Sequence, residues 1–288
     1  MQFYIVDVFA NKKYQGNPLA VLIPDRPIDT SEMQLIAKEI HFSETTFIMS
    51  GKKPDGGYDV RIFSPDVELP FAGHPTLGTA FIISKIMEGG STNTIRLNLQ
   101  VGQIPVTVLD DEWTMQQNQP TFGMMLKAAK QVAEMVNLHE EDIDDRFPIE
   151  VTSTGLPSVI VPLKSLSALQ KCRVNHDQFQ DFMDHQIKAN ILLFTRGEET
   201  ATPQLRVRVF VDESGFFEDP ATGSANGNLA AYVIKHRYFG ADSINYEVLQ
   251  GVEMGRPSLL KINASQSEEE YQLLVGGKVF LVAKGDWE

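Results

Sequence analysis

The chain has 288 residues, a net charge of −13 and a hydrophobic content of 42%. That length fits two domains or one large one, and the apolar share is enough for a packed core. The acidic balance disfavours nucleic acid and anionic membranes as partners, so an anionic substrate must be met by local positive potential.

The chain opens on MQFYIVDVFANKK, which lacks a basic leader and carries Asp7 inside its apolar stretch. It reads as a strand over residues 3–9 of a cytosolic protein, not as a signal peptide. No apolar run reaches the roughly 18 residues of a membrane helix. A second strand is expected over 19–23. Asp29-Thr30-Ser31-Glu32 is a capping-box string, and the helix it opens carries Met33, Ile36 and Ile40 on one face with Leu35 beside them. Strands follow over 43–48 and 58–63, separated by a polar loop. The spacing predicts a helix over 75–87, closed by Gly89-Gly90. Paired strands are expected over 95–99 and 104–109. The polar residues and Pro120 of 117–121 mark the join to a second half, placing the halves at 1–118 and 119–288. The second half repeats the alternation of strands and helices and ends with strands near 259–262, 272–275 and 279–282. The acidic run 268–270 reads as a solvated loop. The single cysteine, Cys172, allows no internal disulfide and reads as an inert, buried thiol in a reducing compartment.

A faint internal duplication organises these elements. Val60-Arg61-Ile62-Phe63 is echoed by Val207-Arg208-Val209-Phe210. Gly73-His74 and Gly223-Ser224 each open a helical stretch, and Gly16-Asn17-Pro18 and Gly155-Leu156-Pro157 each precede an apolar strand. The paired positions lie 147, 150 and 139 residues apart, and the separation grows along the chain. Two similar α/β halves are expected, with a small-molecule site where they meet.

Three strings carry residues suited to chemistry. In Gly73-His74-Pro75-Thr76, Pro75 reads as the first helical residue, and free N–H groups at a helix start suit a carboxylate or phosphate. His74 is either a structural cap residue or a donor near pH 7. In Glu218-Asp219-Pro220-Ala221-Thr222-Gly223-Ser224, Ser224 reads as an N-cap and Asp219 as either a turn residue or a site carboxylate. Gly227 in the following helix fits close packing against another helix, and Lys235-His236-Arg237 suits the negative end of its dipole. The Thr222-Gly223-Ser224 string lacks the lysine and spacing of a phosphate loop. In Ser43-Glu44-Thr45-Thr46, Glu44 alone reads as solvated. In a cleft, burial would raise its pKa toward the range of efficient proton transfer, and nearby helix starts would oppose that rise. Taken together, Glu44, His74 and Asp219 around two helix starts suit proton removal and return beside a carboxylate, without a cofactor or metal.

These strings, with Gly16-Asn17-Pro18, Ala72-Gly73-His74-Pro75-Thr76-Leu77-Gly78 and Gly255-Arg256-Pro257-Ser258, resemble the phenazine-biosynthesis PhzF-like family in order and over nearly the whole chain. The resemblance implies an α+β, diaminopimelate-epimerase-like fold of two pseudo-symmetric halves, each a mixed sheet wrapped around a central helix. The last strand, about 278–286, is expected to return to the first half. It implies a cofactor-independent isomerase, commonly homodimeric, acting on a small anionic substrate. Glu44 matches the proton-shuttling residue, His74 and Asp219 the assisting residues, and Asn17, Gly73, Gly223 and Ser224 the binding positions. The epimerase relatives use two cysteines, whereas His74 and Ser224 stand at the two helix starts here. Asn226-Gly227-Asn228 departs from the family pattern and leaves the substrate open. A non-cysteine racemase or epimerase, and a binding protein without chemistry, are the alternative readings.

Overall fold

The structure, a computed structural model, describes residues 1–185, 187–197, 202, 204–213, 216–268 and 270–288. Glu269 of the acidic run lies outside them. The described residues divide into two compact units: Met1–Gln116 with Gly276–Glu288, and Gln117–Val275.

The first unit runs β1 (Gln2–Val8), β2 (Asn17–Ile23), α1 (Thr30–Ile40), β3 (Thr45–Ile48), β4 (Gly57–Phe63), β5 (Glu68–Leu69), α2 (Gly73–Ile82), β6 (Thr94–Leu99), β7 (Gly102–Leu109) and β8 (Glu112–Gln116). Successive pairings are antiparallel for β1–β2, parallel for β2–β3, antiparallel for β3–β4, parallel for β4–β6, and antiparallel for β6–β7 and β7–β8. The 279–286 stretch of the final strand runs antiparallel to β1, from Val8↔Val279 to Gln2↔Asp286, and that strand also pairs with β8. The sheet therefore closes around α2, which packs on six of its strands. The sequence of α2, GHPTLGTAFI, has no Asp, Glu, Lys or Arg, as a helix buried on every side requires. Helix α1 covers the sheet's outer face, burying Met33, Ile36 and Ala37 against Leu22, Phe47 and Phe63.

Asp29 caps α1 as expected, accepting from the Glu32 N–H at 2.8 Å. The Glu32 carboxylate turns instead to Arg26, at 3.0 Å, and Leu35 is exposed. Helix α2 ends earlier than its periodicity suggests. Residues Ile83–Met87 widen into a π-turn, with the Glu88 N–H on the Ile83 carbonyl at 3.0 Å.

The second unit holds β9 (Thr121–Leu126), α3 (Ala129–Met135), β10 (Ile149–Ser153), β11 (Pro157–Pro162), α4 (Leu166–Lys171), α5 (His176–His185), β12 (Asn190–Arg196), β13 (Gln204–Glu213), β14 (Phe216–Asp219), α6 (Gly223–Lys235), β15 (Ser243–Gln250), β16 (Ser258–Ser267) and the start of β17 (Glu270–Asp286). Its pairings from β10 to β16 repeat the first unit's alternation: antiparallel, parallel, antiparallel, parallel, antiparallel. Helix α6 packs on β10, β11, β12, β15 and β16, and its residues from Gly223 to Ile234 are buried. An outer core of Val132, Val136, Phe179 and Phe182 sits under α3 and α5.

The duplication extends to side chains. In β4, Arg61 donates from Nε to Glu68 Oε1 at 2.7 Å and lies 5.1 Å from the Phe63 ring centroid. In β13, Arg208 donates to Glu218 at 2.8 and 2.7 Å and lies 4.9 Å from the Phe210 centroid. The strand register makes the match exact in position: Ile62 faces Leu69 as Val209 faces Asp219.

Two local expectations are corrected. The strands predicted at 272–275 and 279–282 are one continuous strand, because Gly276 lets it pass the sheet without a break. A Cβ there would stand 2.7 Å from the Trp113 carbonyl oxygen. Gly227 does not admit a second helix: a Cβ on it would meet the Gln117 side chain at 2.8 Å. The smallness of α6 serves packing inside a sheet.

Candidate active site

In the first unit, three loop-to-element junctions converge. Gly16, at φ 74, turns the chain into β2, whose first residue is Asn17. Glu44 stands one residue before β3, and His74 is the second residue of α2. The Asn17 side chain is fully buried, with Nδ2 3.2 Å from His74 Nδ1 and Oδ1 3.4 Å from Ser43 Oγ. On the other side of the ring, His74 Nε2 lies 3.4 Å from Glu44 Oε2. Glu44 is 13% exposed, so it is not the solvated residue its local sequence suggests.

Burial pushes His74 down to about 3, against the opposing effect of a hydrogen bond from the ring to the Pro18 carbonyl. The imidazole is therefore neutral at pH 7 and acts as a hydrogen-bonding group, not as the near-neutral proton donor its sequence position suggests. Nδ1 is held from behind by the Asn17 side chain, and Nε2 faces Glu44. That contact is not a closed hydrogen bond, since Nε2 is among the buried atoms without one.

Gly73 opens α2, and Ala72 precedes it with no side-chain cap. Pro75 is the third helical residue, not the first. The displacement costs nothing, because the first four N–H groups of a helix have no partner within it. The backbone at Gly73 and His74 thus offers donors on the positive end of a helix.

In the second unit, α6 begins at Gly223 and its N-cap is Thr222, so Ser224 is the second helical residue and not the cap. The Thr222 side chain makes no cap bond to the helix. Its hydroxyl donates to Asp219 Oδ2 instead. Asp219 therefore does stabilise the turn, and it also keeps a partly exposed carboxylate at the helix start. Behind this turn lies Gln250, the fully buried last residue of β15. Its Oε1 accepts from the Thr222 N–H at 3.3 Å and from Asn226 Nδ2 at 2.8 Å. Its Nε2 donates to the Asp219 carbonyl at 2.7 Å and to Thr222 Oγ1 at 3.1 Å. Sequence reasoning passed over Thr222 and Gln250. The signal for Gln250 was a polar residue at the inward position of an alternating strand, after Tyr246 and Val248.

Asn226 and Asn228 are structural ties. Asn226 Nδ2 holds the Thr222 carbonyl at 2.9 Å. Asn228 Oδ1 accepts from the Thr154 N–H and hydroxyl at 2.6 and 2.9 Å, and its Nδ2 donates to the Leu156 carbonyl and Ser158 Oγ at 2.8 and 2.9 Å. Cys172 lies in the outer core of the second unit, and burial pushes its thiol up to about 12. A thiolate there is not formed at neutral pH. Among the described residues, no group of three or more His, Cys, Asp or Glu is placed to hold a metal, and no helix is long and apolar enough to cross a membrane.

The sequence profile of the phenazine biosynthesis-like proteins matches residues 6–285. A trans-2,3-dihydro-3-hydroxyanthranilate isomerase of Pseudomonas aeruginosa is 34% identical over 292 residues, covering 99% of this chain and 98% of that protein. An uncharacterized isomerase of Pasteurella multocida is 33% identical, covering 99% and 93%. The crystal structure of a Bacillus anthracis phenazine biosynthesis protein of the PhzF family superposes with a TM-score of 0.87 at 26% identity, covering 99% and 98%. The α+β architecture of two sheet-wrapped helices is shared with these proteins and, as a fold, with the epimerases and racemases.

Proposed function

The chain belongs to the phenazine biosynthesis-like, PhzF family and is an isomerase, and on that footing we propose that it moves a proton on a small carboxylate-bearing substrate with Glu44 as the general acid and base. The observation that carries the reading is the ordered row Asn17, His74, Glu44. A mostly buried carboxylate faces the nitrogen of an imidazole that is kept neutral and is oriented from behind. A neutral imidazole does not impose on Glu44 the strong pKa depression that an imidazolium would. Glu44 then keeps enough basicity to take a proton from carbon and return it at another position. Such positioned acid–base catalysis contributes about 10²–10⁴-fold.

The backbone donors at Gly73 are the proposed partner of the substrate's own carboxylate; in the second unit, Gly223 and Ser224 are proposed as binding positions and Asp219 as an assisting residue. A dihydroanthranilate-type acid is the substrate class favoured by the named relatives. The same reading carries a cytoplasmic protein and, from the family resemblance, a homodimer; the acidic composition disfavours nucleic-acid and membrane partners.

A racemase without thiols is the second reading, favoured by His74 and Ser224 standing at the two helix starts while the lone Cys172 is buried and protonated. Incubation in heavy water with dihydroanthranilate-type acids and both enantiomers of amino acids, followed by proton NMR, separates the two. Deuterium entering the cyclic acid during isomerisation supports the first reading. Exchange at the α-carbon of both enantiomers supports the second, and no exchange with any of these acids contradicts both.

A further inference from the structure

The two units share one frame, and that frame allows a position-by-position control. Helix starts, strand register and the Arg–Glu pair align Leu69 with Asp219, Ala72 with Thr222, and Leu99 with Gln250. Leu69 and Asp219 face Ile62 and Val209 of the repeated strands. Ala72 and Thr222 are the N-caps of α2 and α6. Gln250 pairs with Val207, while Leu97 and Asn98 pair with Tyr58 and Asp59, so the same register carries Leu99 opposite Val60. In the first unit all three positions are apolar. In the second all three are polar and joined by hydrogen bonds. The fold builds its helix start without these groups, so folding alone does not call for them.

We infer that Gln250 is a positioning residue for Asp219, acting through the Thr222 hydroxyl. The orientation of its amide is fixed by two backbone groups of unchangeable polarity. The Asp219 carbonyl requires a donor, so Nε2 faces it, and the Thr222 N–H requires an acceptor, so Oε1 faces that. Nε2 also donates to Thr222 Oγ1, and this occupies the hydroxyl as an acceptor. The hydroxyl's one proton is then directed to Asp219 Oδ2. Asn226 Nδ2 braces Oε1 from the helix, in the place where Thr76 of α2 only bonds back to Ala72. Gly251 presses this strand end onto the turn: a Cβ there would stand 2.6 Å from the Pro220 carbonyl oxygen. The chain of bonds fixes the rotamer of Asp219 and favours its ionised form. The inference rests on Asp219 being a site residue, the reading given above.

The test is the titration of the Asp219 carboxyl, followed by carbon NMR of protein labelled at aspartate Cγ and assigned by the signal lost in Asp219→Asn. Thr222→Val and Gln250→Met are each expected to raise the midpoint by about one pH unit, since each removes or misdirects the charge-assisted bond. Thr222→Ser, which keeps the hydroxyl, is expected to hold the wild-type midpoint. Gln250→Leu, the residue type at the matching position of the first unit, replaces Gln250→Met if that variant does not fold, because it removes the Nε2 donor without adding charge. A midpoint unchanged in Thr222→Val, or moved there but not in the Gln250 variant, overturns the inference. This readout needs no substrate, so it stands apart from whether Glu44-dependent exchange is found.

Discussion

Asn17 Nδ2 lies 3.2 Å from His74 Nδ1, with both side chains shut off from solvent. The contact orients the ring so that Nε2 faces Glu44. Nitrogen NMR of the His74 ring at pH 7 is expected to show a neutral imidazole. In Asn17→Asp, the new carboxylate beside Nδ1 favours a protonated ring, and turnover is expected to fall about 10–100-fold. An imidazolium signal from the wild-type protein at pH 7 contradicts this.

His74 also makes stability depend on pH. Its ordinary value is 6.5 and burial lowers it to about 3 in the folded state, so between these values the unfolded chain binds more protons. The stabilisation from keeping the ring neutral is complete above pH 6.5 and is lost as pH falls toward 3. Denaturation in urea at intervals over this range is expected to give a His74 contribution of up to about 1.4 kcal/mol per pH unit, absent in His74→Gln. Equal slopes for both proteins contradict it.

The repeated Arg–Glu pairs differ in burial, and this separates their energies. Arg208 and Glu218 are 5% and 15% exposed, against 29% and 20% for Arg61 and Glu68. Arg208→Met leaves a nearly buried carboxylate unpaired, and equilibrium unfolding is expected to show a loss of about 3–5 kcal/mol. Arg61→Met leaves a better-solvated carboxylate and is expected to cost about 1 kcal/mol. Equal losses in the two variants contradict the comparison.

Asn228 ties the 154–158 turn to α6 with both ends of its amide. Asn228→Ala leaves the Thr154 N–H without that partner, and a loss of about 1–3 kcal/mol is expected for each group left unsatisfied in this way. Thermal unfolding checks it, and a change below about 0.5 kcal/mol contradicts the structural role.

Much of this architecture is legible in the chain. The Val60–Phe63 and Val207–Phe210 strings mark β4 and β13, and Gly73 and Gly223 mark the two buried helices. The burial of Glu44 is not legible locally, because it depends on α2 bringing His74 beside it from 30 residues away. Ser224 looked like a cap since serine caps helices, yet Thr222 precedes it at the true start and spends its hydroxyl on Asp219. Gln250 escaped notice because its partners lie 24 to 31 residues upstream, across a helix and a turn. The lower pKa of His74 follows from enclosure by the sheet, which no single motif encodes.

Glu44 is the proposed proton carrier. The most direct test is the rate of deuterium incorporation into a dihydroanthranilate-type acid in heavy water, for wild type and Glu44→Gln, with thermal unfolding of both. The account predicts a loss of about 10³-fold in Glu44→Gln with the unfolding midpoint retained. Exchange at the wild-type rate in folded Glu44→Gln contradicts it.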